Sequence, residues 1–125
     1  MNTSTREYVY GDILAISYNG EGQRNWFNFI RKEQYSQEDG GMFSSFSLLN
    51  SGASLVFLYN DFSTTKSSLN LAALDSDGHL QLKKMNPGKA IGGDWIPKMG
   101  KQTDARELLV PVLRRNSLGF ARLAF

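Results

Sequence analysis

Short apolar segments, each bounded by turn residues, recur along most of the chain. The segment Ile13–Tyr18 is apolar at both odd and even positions, and the segments 55–59 and 108–110 show the same pattern. Because successive side chains of a strand point to opposite sides, these strands would be apolar on both faces. Strands of this kind are usually covered on both faces. The pattern therefore predicts strands inside stacked sheets rather than strands on a sheet with one wet face.

Turn residues divide these segments into hairpins. Glycine, asparagine, aspartate and serine cluster at 19–22 (NGEG), 50–52 (NSG), 75–78 (DSDG) and 114–117 (RRNS), where the backbone must reverse. Between the turns, the segments 43–49, 55–60, 69–74 and 80–85 predict four consecutive strands. A short helix over 28–34 is an alternative for the sequence around FIRKEQ, although Trp26, Phe27 and Phe29 favour a strand there.

A faint internal repeat relates two parts of the chain. Residues 13–22 (ILAISYNGEG) align with residues 69–78 (LNLAALDSDG), 56 residues further on. Each copy is an apolar strand followed by a turn of the form Asn/Asp-x-Glu/Asp-Gly. The tail 119–125 (GFARLAF) is similar to the strand half of a third copy. A fixed period of this size indicates an architecture in which one supersecondary unit is copied and stacked.

These patterns predict an all-β fold of antiparallel meanders of propeller-blade type, with about two blades and a part. Residues 1–125 would form a single β-rich unit within a larger propeller-like domain. A four-stranded meander over 43–85 has the size of one blade, with partial blades over 8–34 and 94–125. The alternative is a closed up-and-down β-barrel, in which every strand would alternate between an inside and an outside face.

Composition and charge narrow the possible partners without naming a function. The 125 residues include no cysteine, which excludes disulfides and thiolate chemistry. Residues 1–82 carry five basic and nine acidic side chains, whereas residues 83–125 carry nine basic and three acidic ones. The basic residues form no dense run and no nucleic-acid-binding motif, so we predict no nucleic-acid partner. Attraction between the oppositely charged ends, within one chain or head to tail between chains, stays open.

The titratable residues match no catalytic or metal-binding motif. His79 is the single histidine, and one histidine without cysteine cannot supply the usual zinc ligands. Asp75 and Asp77 resemble the opening of a calcium loop, but Asn86 stands where an EF-hand needs its closing glutamate. Turn chemistry explains both aspartates more simply. We therefore predict no catalytic, cofactor-binding or metal-binding residue, no cofactor and no enzymatic activity, and we assign no ligand-binding residue.

Three further features could carry chemistry, and each has a simpler structural explanation. The carboxylates at 38–39 and at Asp61 lie near loops, where adjacent acids seldom converge as a glycosidase pair, and Asp61 is expected to cap a turn with Asn60. The Gly-Lys pairs at 88–89 and 100–101 lack the first glycine of a phosphate-binding loop. Twelve of the fifteen aromatic residues lie within 8–62. Their alternate spacing favours packing over the stacking of sugars or bases, for which Trp26 and Trp95 are the first candidates.

Several of these segments together carry a resemblance to known proteins. They are 11–14 (GDIL), Trp26 with Ile30, Lys32 and Gln34, 43–46 (FSSF), 58–61 (LYND), the 75–78 turn and 119–125. The chain resembles, over nearly its whole length, the C-terminal end of long, uncharacterised, propeller-like proteins of Bacteroidetes. The resemblance implies architecture and no particular chemistry. The two Gly-ending turns are also loosely similar to the aspartate-box hairpins of sialidase-type propellers, although neither is followed by the Ser/Thr-Trp pair of that motif.

The sequence is compatible with three functions. The first is a non-catalytic scaffold or interaction segment of a larger propeller-like protein. The second is a small barrel that binds an apolar ligand, and the third is a fragment of a glycan-active propeller enzyme. The expected partners are the remainder of a parent chain or further copies of this chain, bound through open strand edges. The start of the sequence does not resemble a signal peptide, no segment is long and apolar enough to span a membrane, and export of a parent protein stays open.

Overall fold

The computed structural model describes residues 4–62, 68–85 and 92–125, which fold as antiparallel β-sheets. The prediction of an all-β fold built from antiparallel meanders is confirmed. The strands are β1 (Glu7–Tyr10), β2 (Ile13–Tyr18), β3 (Arg24–Ile30), β4 (Gln34–Gln37), β5 (Ser47–Asn50), β6 (Ser54–Asp61), β7 (Ser68–Asp75), β8 (Leu80–Lys84), β9 (Asp94–Trp95), β10 (Lys101–Asp104), β11 (Glu107–Arg114) and β12 (Ser117–Ala124).

A four-stranded meander lies at the centre of the chain. Strands β5, β6, β7 and β8 pair in that order, each antiparallel to the next. The turn between β5 and β6 forms because the side chain of Asn50 accepts the N–H of Gly52 at 2.9 Å. Strand β6 is the best-covered element, with five consecutive buried residues from Val56 to Asn60. The prediction that this strand is covered on both faces is therefore confirmed.

The N-terminal strands form one long hairpin with a break in its middle. Strand β1 pairs with β4 and β2 pairs with β3, and the pairs Tyr10–Gln34 and Ile13–Ile30 flank the break. The Asp12 carboxylate accepts the N–H of Lys32 at 3.1 Å and holds the two arms together there. The possible helix over 28–34 is wrong, because the aromatic residues of β3 pair along β2 and the chain stays extended into β4.

The C-terminal strands form a third sheet. Strand β12 pairs with β11 along its whole length, and β9 and β10 both pair with the opposite edge of β11. A 3₁₀ turn, Pro97–Met99, separates β9 from β10, so these two strands act as one interrupted strand. The Gln102 side chain accepts the N–H of Asn50 at 2.9 Å and donates to its carbonyl at 2.8 Å. This reciprocal pair joins the third sheet to the edge of the central meander.

The β2–β3 hairpin, the central meander and the C-terminal sheet stack, and β6 and β7 of the meander contribute to two separate apolar cores. One core lies between the meander and the C-terminal sheet, and the other lies between the meander and the N-terminal hairpin. Along β6, Val56 and Leu58 enter the first core while Phe57 enters the second. None of the described sheets closes into a barrel, so the barrel alternative is wrong. The physical reason is that β6 buries both faces, which leaves it no side facing an interior cavity or solvent.

The N-terminal hairpin is covered on one face only, which corrects the expectation for Ile13–Tyr18. Ile13 is buried against the central meander, whereas Leu14 and Ile16 keep 51% and 43% of their surface exposed. The alternation of the strand is as predicted, but within the described chain no sheet lies on its outer face.

The turns that end the two aligned segments have the same hydrogen bonds. Asn19 Oδ1 accepts the N–H groups of Glu21 and Gln23, and Asp75 Oδ1 accepts those of Asp77 and His79, all at 2.9 Å. In both turns the final glycine adopts a positive φ, of 81° and 84° respectively. Asparagine and aspartate are equivalent here because each offers one oxygen to two backbone donors.

The two turns differ in what packs against the glycine. A Cβ at Gly78 would lie 2.6 Å from Cγ of Trp26, whereas a Cβ at Gly22 would meet no described atom within 4 Å. The Trp26 indole also donates to the carbonyl of Ser76 at 3.0 Å, and the Asn28 amide donates to that of Gly78 at 3.1 Å. The N-terminal hairpin is therefore fixed on the turn between β7 and β8.

We expect Gly78→Ala to lower the free energy of unfolding by roughly 2–4 kcal/mol, because it adds a steric clash with Trp26 to the strain of a positive φ. The matched change Gly22→Ala carries the strain alone and should cost about 1 kcal/mol. Urea denaturation of both variants measures the difference. Equal losses would show that Trp26 does not hold the turn.

Candidate functional site

The residues that suggested calcium binding lie together on an exposed turn. Ligand atoms of Asp75, Asp77 and His79 are within 4.8 Å of one another. Asp75 already accepts two backbone N–H groups, and its second oxygen lies 3.3 Å from Nδ1 of His79. The backbone hydrogen bond from His79 is the main reason that the pKa of Asp75 lies below its usual value. The turn itself therefore uses the Asp75 carboxylate, as the sequence predicted.

The carboxylates at 38–39 also form hydrogen bonds within and beside their own loop. Asp39 accepts the hydroxyl of Ser36 at 2.7 Å and the N–H of Gly41 at 2.8 Å, and Glu38 accepts the N–H of Arg6 at 2.7 Å. These bonds close the loop that follows β4. The two carboxylates face different partners and do not form the converging pair that glycoside hydrolysis requires.

Of the two tryptophans, Trp95 is buried and Trp26 is half-buried. Trp95 is 4% exposed and belongs to the core between the central meander and the C-terminal sheet. Trp26 lies on the inner face of the hairpin, where it contacts the 75–78 turn. Neither ring lies on an open platform for a sugar or a base, which agrees with the packing interpretation.

A buried polar network lies where the three sheets meet, and the sequence did not indicate it as a site. We use this name for Lys32, Gln34 and Asn60, which are 7%, 0% and 7% exposed. The Gln34 amide nitrogen donates to the carbonyl of Asn60 at 2.6 Å. Its oxygen accepts Nζ of Lys32 at 2.6 Å and the N–H of Ser45 at 2.8 Å.

Asn60 extends the network to the third sheet. Its amide nitrogen donates to the carbonyls of Phe43 at 3.1 Å and Trp95 at 2.9 Å. One side chain on β6 thus joins the segment before β5 to β9, while Gln34 joins β6 to the N-terminal hairpin. The expectation that Asn60 and Asp61 cap a surface turn is wrong for Asn60, whose side chain is buried and directed between the sheets.

Lys32 brings a positive charge into this buried region. Its Nζ lies 5.8 Å from the centre of the Tyr10 ring, and Nζ of Lys98 lies 6.0 Å from the same ring. Burial lowers the pKa of Lys32, while the nearby charges of Asp12 and Asp61 act in the opposite direction. Burial, together with Asp61, raises the pKa of the Tyr59 hydroxyl. These shifts follow from the packing of the sheets.

The chemistry available to the network is structural. The amide nitrogens of Gln34 and Asn60 donate to backbone carbonyls of β6, of β9 and of the segment before β5, which leaves them no donor for a substrate. The Ser44 hydroxyl is buried beside this region and has no hydrogen-bond partner among the described atoms. The available sequence signal was the spacing Ile30, Lys32, Gln34 in a strand, because a lysine and a glutamine on alternate inward positions need buried partners.

The outer faces of the first and last sheets are the other unassigned feature. The hairpin face consists of exposed apolar residues on β2 and β3: Leu14, Ile16, Tyr18, Phe27 and Phe29. The C-terminal face consists of exposed or half-buried apolar residues on β11 and β12: Leu109, Pro111, Leu113, Leu118 and Phe120. Contiguous exposed apolar side chains of this kind mark interaction surfaces.

Comparison of the chain with family models, with curated proteins and with solved structures found no match in any of the three. The resemblance to propeller-like proteins of Bacteroidetes therefore stays a prediction. Within the described ranges, no helix has the length and apolar character needed to cross a membrane.

We expect Asn60→Ala to lower the free energy of unfolding by roughly 2–4 kcal/mol, because it removes the donor from the buried carbonyl of Trp95 and from the half-buried carbonyl of Phe43. The matched change Asn25→Ala removes an exposed side chain and should cost less than about 0.5 kcal/mol. Chemical denaturation measures both. A small loss for Asn60→Ala would show that water replaces its bonds and that the network does not hold the sheets.

The lowered pKa of Lys32 predicts a stability that rises with pH. The folded chain loses this proton at a lower pH than the unfolded chain, so the free energy of unfolding increases between the folded pKa and the ordinary value of 10.5. Above the ordinary tyrosine value of 10.0, the raised pKa of Tyr59 acts in the opposite direction.

Denaturation midpoints measured from neutral pH up to the ordinary tyrosine pKa test this pH dependence. Lys32→Met should abolish the rise, and the exposed Lys84→Met on β8 should keep it. A wild-type stability that falls over the same range would contradict the assignment.

Proposed function

We propose that the chain is a non-catalytic scaffold whose two outer sheet faces bind neighbouring β-sheets, as part of a larger propeller-like assembly. The observation that carries this proposal is the apolar outer face at each end of a three-sheet stack. Sheets inside the chain already pack through the same kinds of side chain, so a further sheet is the partner that each end face fits best.

The central meander supports this proposal because it provides an internal example of the same contact. On β6, Val56 and Leu58 pack against one neighbouring sheet and Phe57 packs against the other. The hairpin face and the C-terminal face carry aliphatic and aromatic residues at corresponding alternate strand positions. A partner sheet on each of these faces would bury the outer sheets on both sides, as β6 is buried.

The equivalent turns support the propeller-like part of the proposal. The turns after β2 and β7 have the same two side-chain-to-backbone bonds and the same positive-φ glycine. Each turn lies at the same end of the stack, since Trp26 in the first hairpin contacts the second turn. Repeated units in parallel placement are the arrangement expected of stacked blades.

Site-specific photo-crosslinking in the producing cells tests the scaffold role. A photoreactive amino acid at Phe29 on the hairpin face or at Phe120 on the C-terminal face should give crosslinks to polypeptide, because both faces would be covered. The same probe at Leu82, which is 65% exposed on β8, should remain uncrosslinked because it lies on neither face.

Mass spectrometry would locate the attachment sites. Crosslinks mapped from both end faces to β-strand segments support the role. Equal labelling at Leu82, or no crosslink from either end face, would contradict it.

A further inference from the structure

We infer that the outer edge of β12 binds one extended segment of another polypeptide, which adds a further antiparallel strand to the C-terminal sheet. The sequence predicted partners at open strand edges, and this inference names the edge and the chemistry of the segment. The edge of β12 is a different surface from the two outer faces. The inference therefore goes beyond the proposed scaffold role and does not depend on it.

The outer edge of β12 carries backbone groups that no strand of the described chain pairs with. Phe125 donates its N–H to the carbonyl of Arg106, which determines the residues of β12 whose backbone groups face β11. Because the N–H and C=O groups of successive strand residues point to opposite sides, every second residue points away from β11: Leu118, Phe120, Arg122 and Ala124. Their N–H and C=O groups form a row of donors and acceptors, to which a further strand can pair.

Strand β12 lacks the features that usually protect an edge. It is eight residues long and pairs with β11 without a register shift, and Arg122 is its only charged residue. By contrast, β8 at the edge of the central meander is five residues long and ends in two lysines. Short edge strands and edge lysines are common means of preventing further pairing. The chain thus protects the edge of the central meander and leaves the edge of the C-terminal sheet open.

The central meander limits the added segment to one strand. The meander has four strands, whereas the C-terminal sheet has three positions because β9 and β10 act as one interrupted strand. The two sheets are aligned at β5 and β10 by Gln102 and Asn50, and Leu71 on β7 shares a core with Ala121 on β12. Strand β8 therefore extends beyond β12. A second copy that offered its own β12 would bring a stacked sheet against β8, so an isolated extended segment fits this position better.

Lys83 on β8 indicates the chemistry of the segment. It pairs across the meander with Leu71 and lies on the same face as Met85, and both of these residues pack on the core shared with the C-terminal sheet. Lys83 is exposed, and its exposed neighbour Lys84 lies on the opposite face. A strand beside β12 would direct alternate side chains toward Lys83, where carboxylates are favoured. The other side chains would lie beside Phe120, where apolar ones are favoured.

NMR titration of the full chain with short capped peptides tests the inference. A peptide that alternates valine and glutamate should shift the amide signals of Leu118, Phe120 and Arg122 and slow their hydrogen exchange. The amides of Gly119 and Ala121 already face β11 and should change little. A peptide that alternates valine and lysine should bind roughly fivefold more weakly. Replacement of the central valine by proline should abolish binding, since proline cannot donate to a strand pair.

Charge reversal on β8 separates a paired strand from general attraction to a basic protein. Lys83→Glu should reverse the preference, so that the valine–lysine peptide binds more tightly than the valine–glutamate peptide. The matched variant Lys84→Glu has the same net charge and should keep the wild-type preference, because its side chain lies on the other face of β8. Circular dichroism verifies that both variants fold, which exposed substitutions should preserve.

Three results would overturn the inference. The first is that neither peptide shifts the outward amides of β12, and the second is that the two charge reversals have equal effects. The third is that the same amides shift with protein concentration in the absence of peptide, because a second copy would then occupy the edge. None of these results concerns the outer faces, so crosslinks from Phe29 and Phe120 would still support the scaffold role.

Discussion

Burial of β6 on both faces is the constraint on which the rest of the structure depends. A strand whose five consecutive residues from Val56 to Asn60 are all buried needs a sheet on each side. That need determines the order of the stack, with the N-terminal hairpin on one side and the C-terminal sheet on the other. It also excludes a barrel of the described strands, because a barrel gives every strand one face toward its interior and one toward solvent. Two separate apolar cores form because β6 places alternate side chains on its two faces.

Apolar contact alone does not orient one sheet on another, because the hydrophobic effect has no direction. At one end of the stack, Asn60 fixes the relative orientation of the sheets, because its amide donates hydrogen bonds to carbonyls in the segment before β5 and in β9. Gln34 fixes the orientation of the N-terminal hairpin, because its amide donates a hydrogen bond to the carbonyl of Asn60 on β6. At the opposite end, Trp26 lies on the Gly78 turn and Gln102 joins the backbone of Asn50. The stack is thus fixed by hydrogen bonds at both ends and by apolar packing between them.

The sequence predicted the hairpins that are joined by tight turns, because these depend on local patterns, but it did not predict β4 or the pairing of β4 with β1. Alternation placed Ile13 and Leu14 on opposite faces of their strand, and the turn residues at 19–22, 50–52 and 75–78 marked where strands reverse. The predicted coverage of both faces is correct for β6 and wrong for Ile13–Tyr18, because coverage of Ile16 depends on a neighbour that alternation cannot identify. The sequence also missed Asn60 as an internal bond donor, since an asparagine at the end of a strand has the same local pattern as a turn cap. Only the approach of β9 to that position distinguishes the two.

The buried network and the exposed faces have different physical consequences for assembly. Inside the chain, bonds such as those from Gln34 allow one relative orientation of the sheets, since any rotation would leave buried groups unpaired. The outer faces carry apolar side chains such as Phe27 and Leu118, with charge distributed around them, so their contacts can form and separate without leaving buried polar groups unsatisfied.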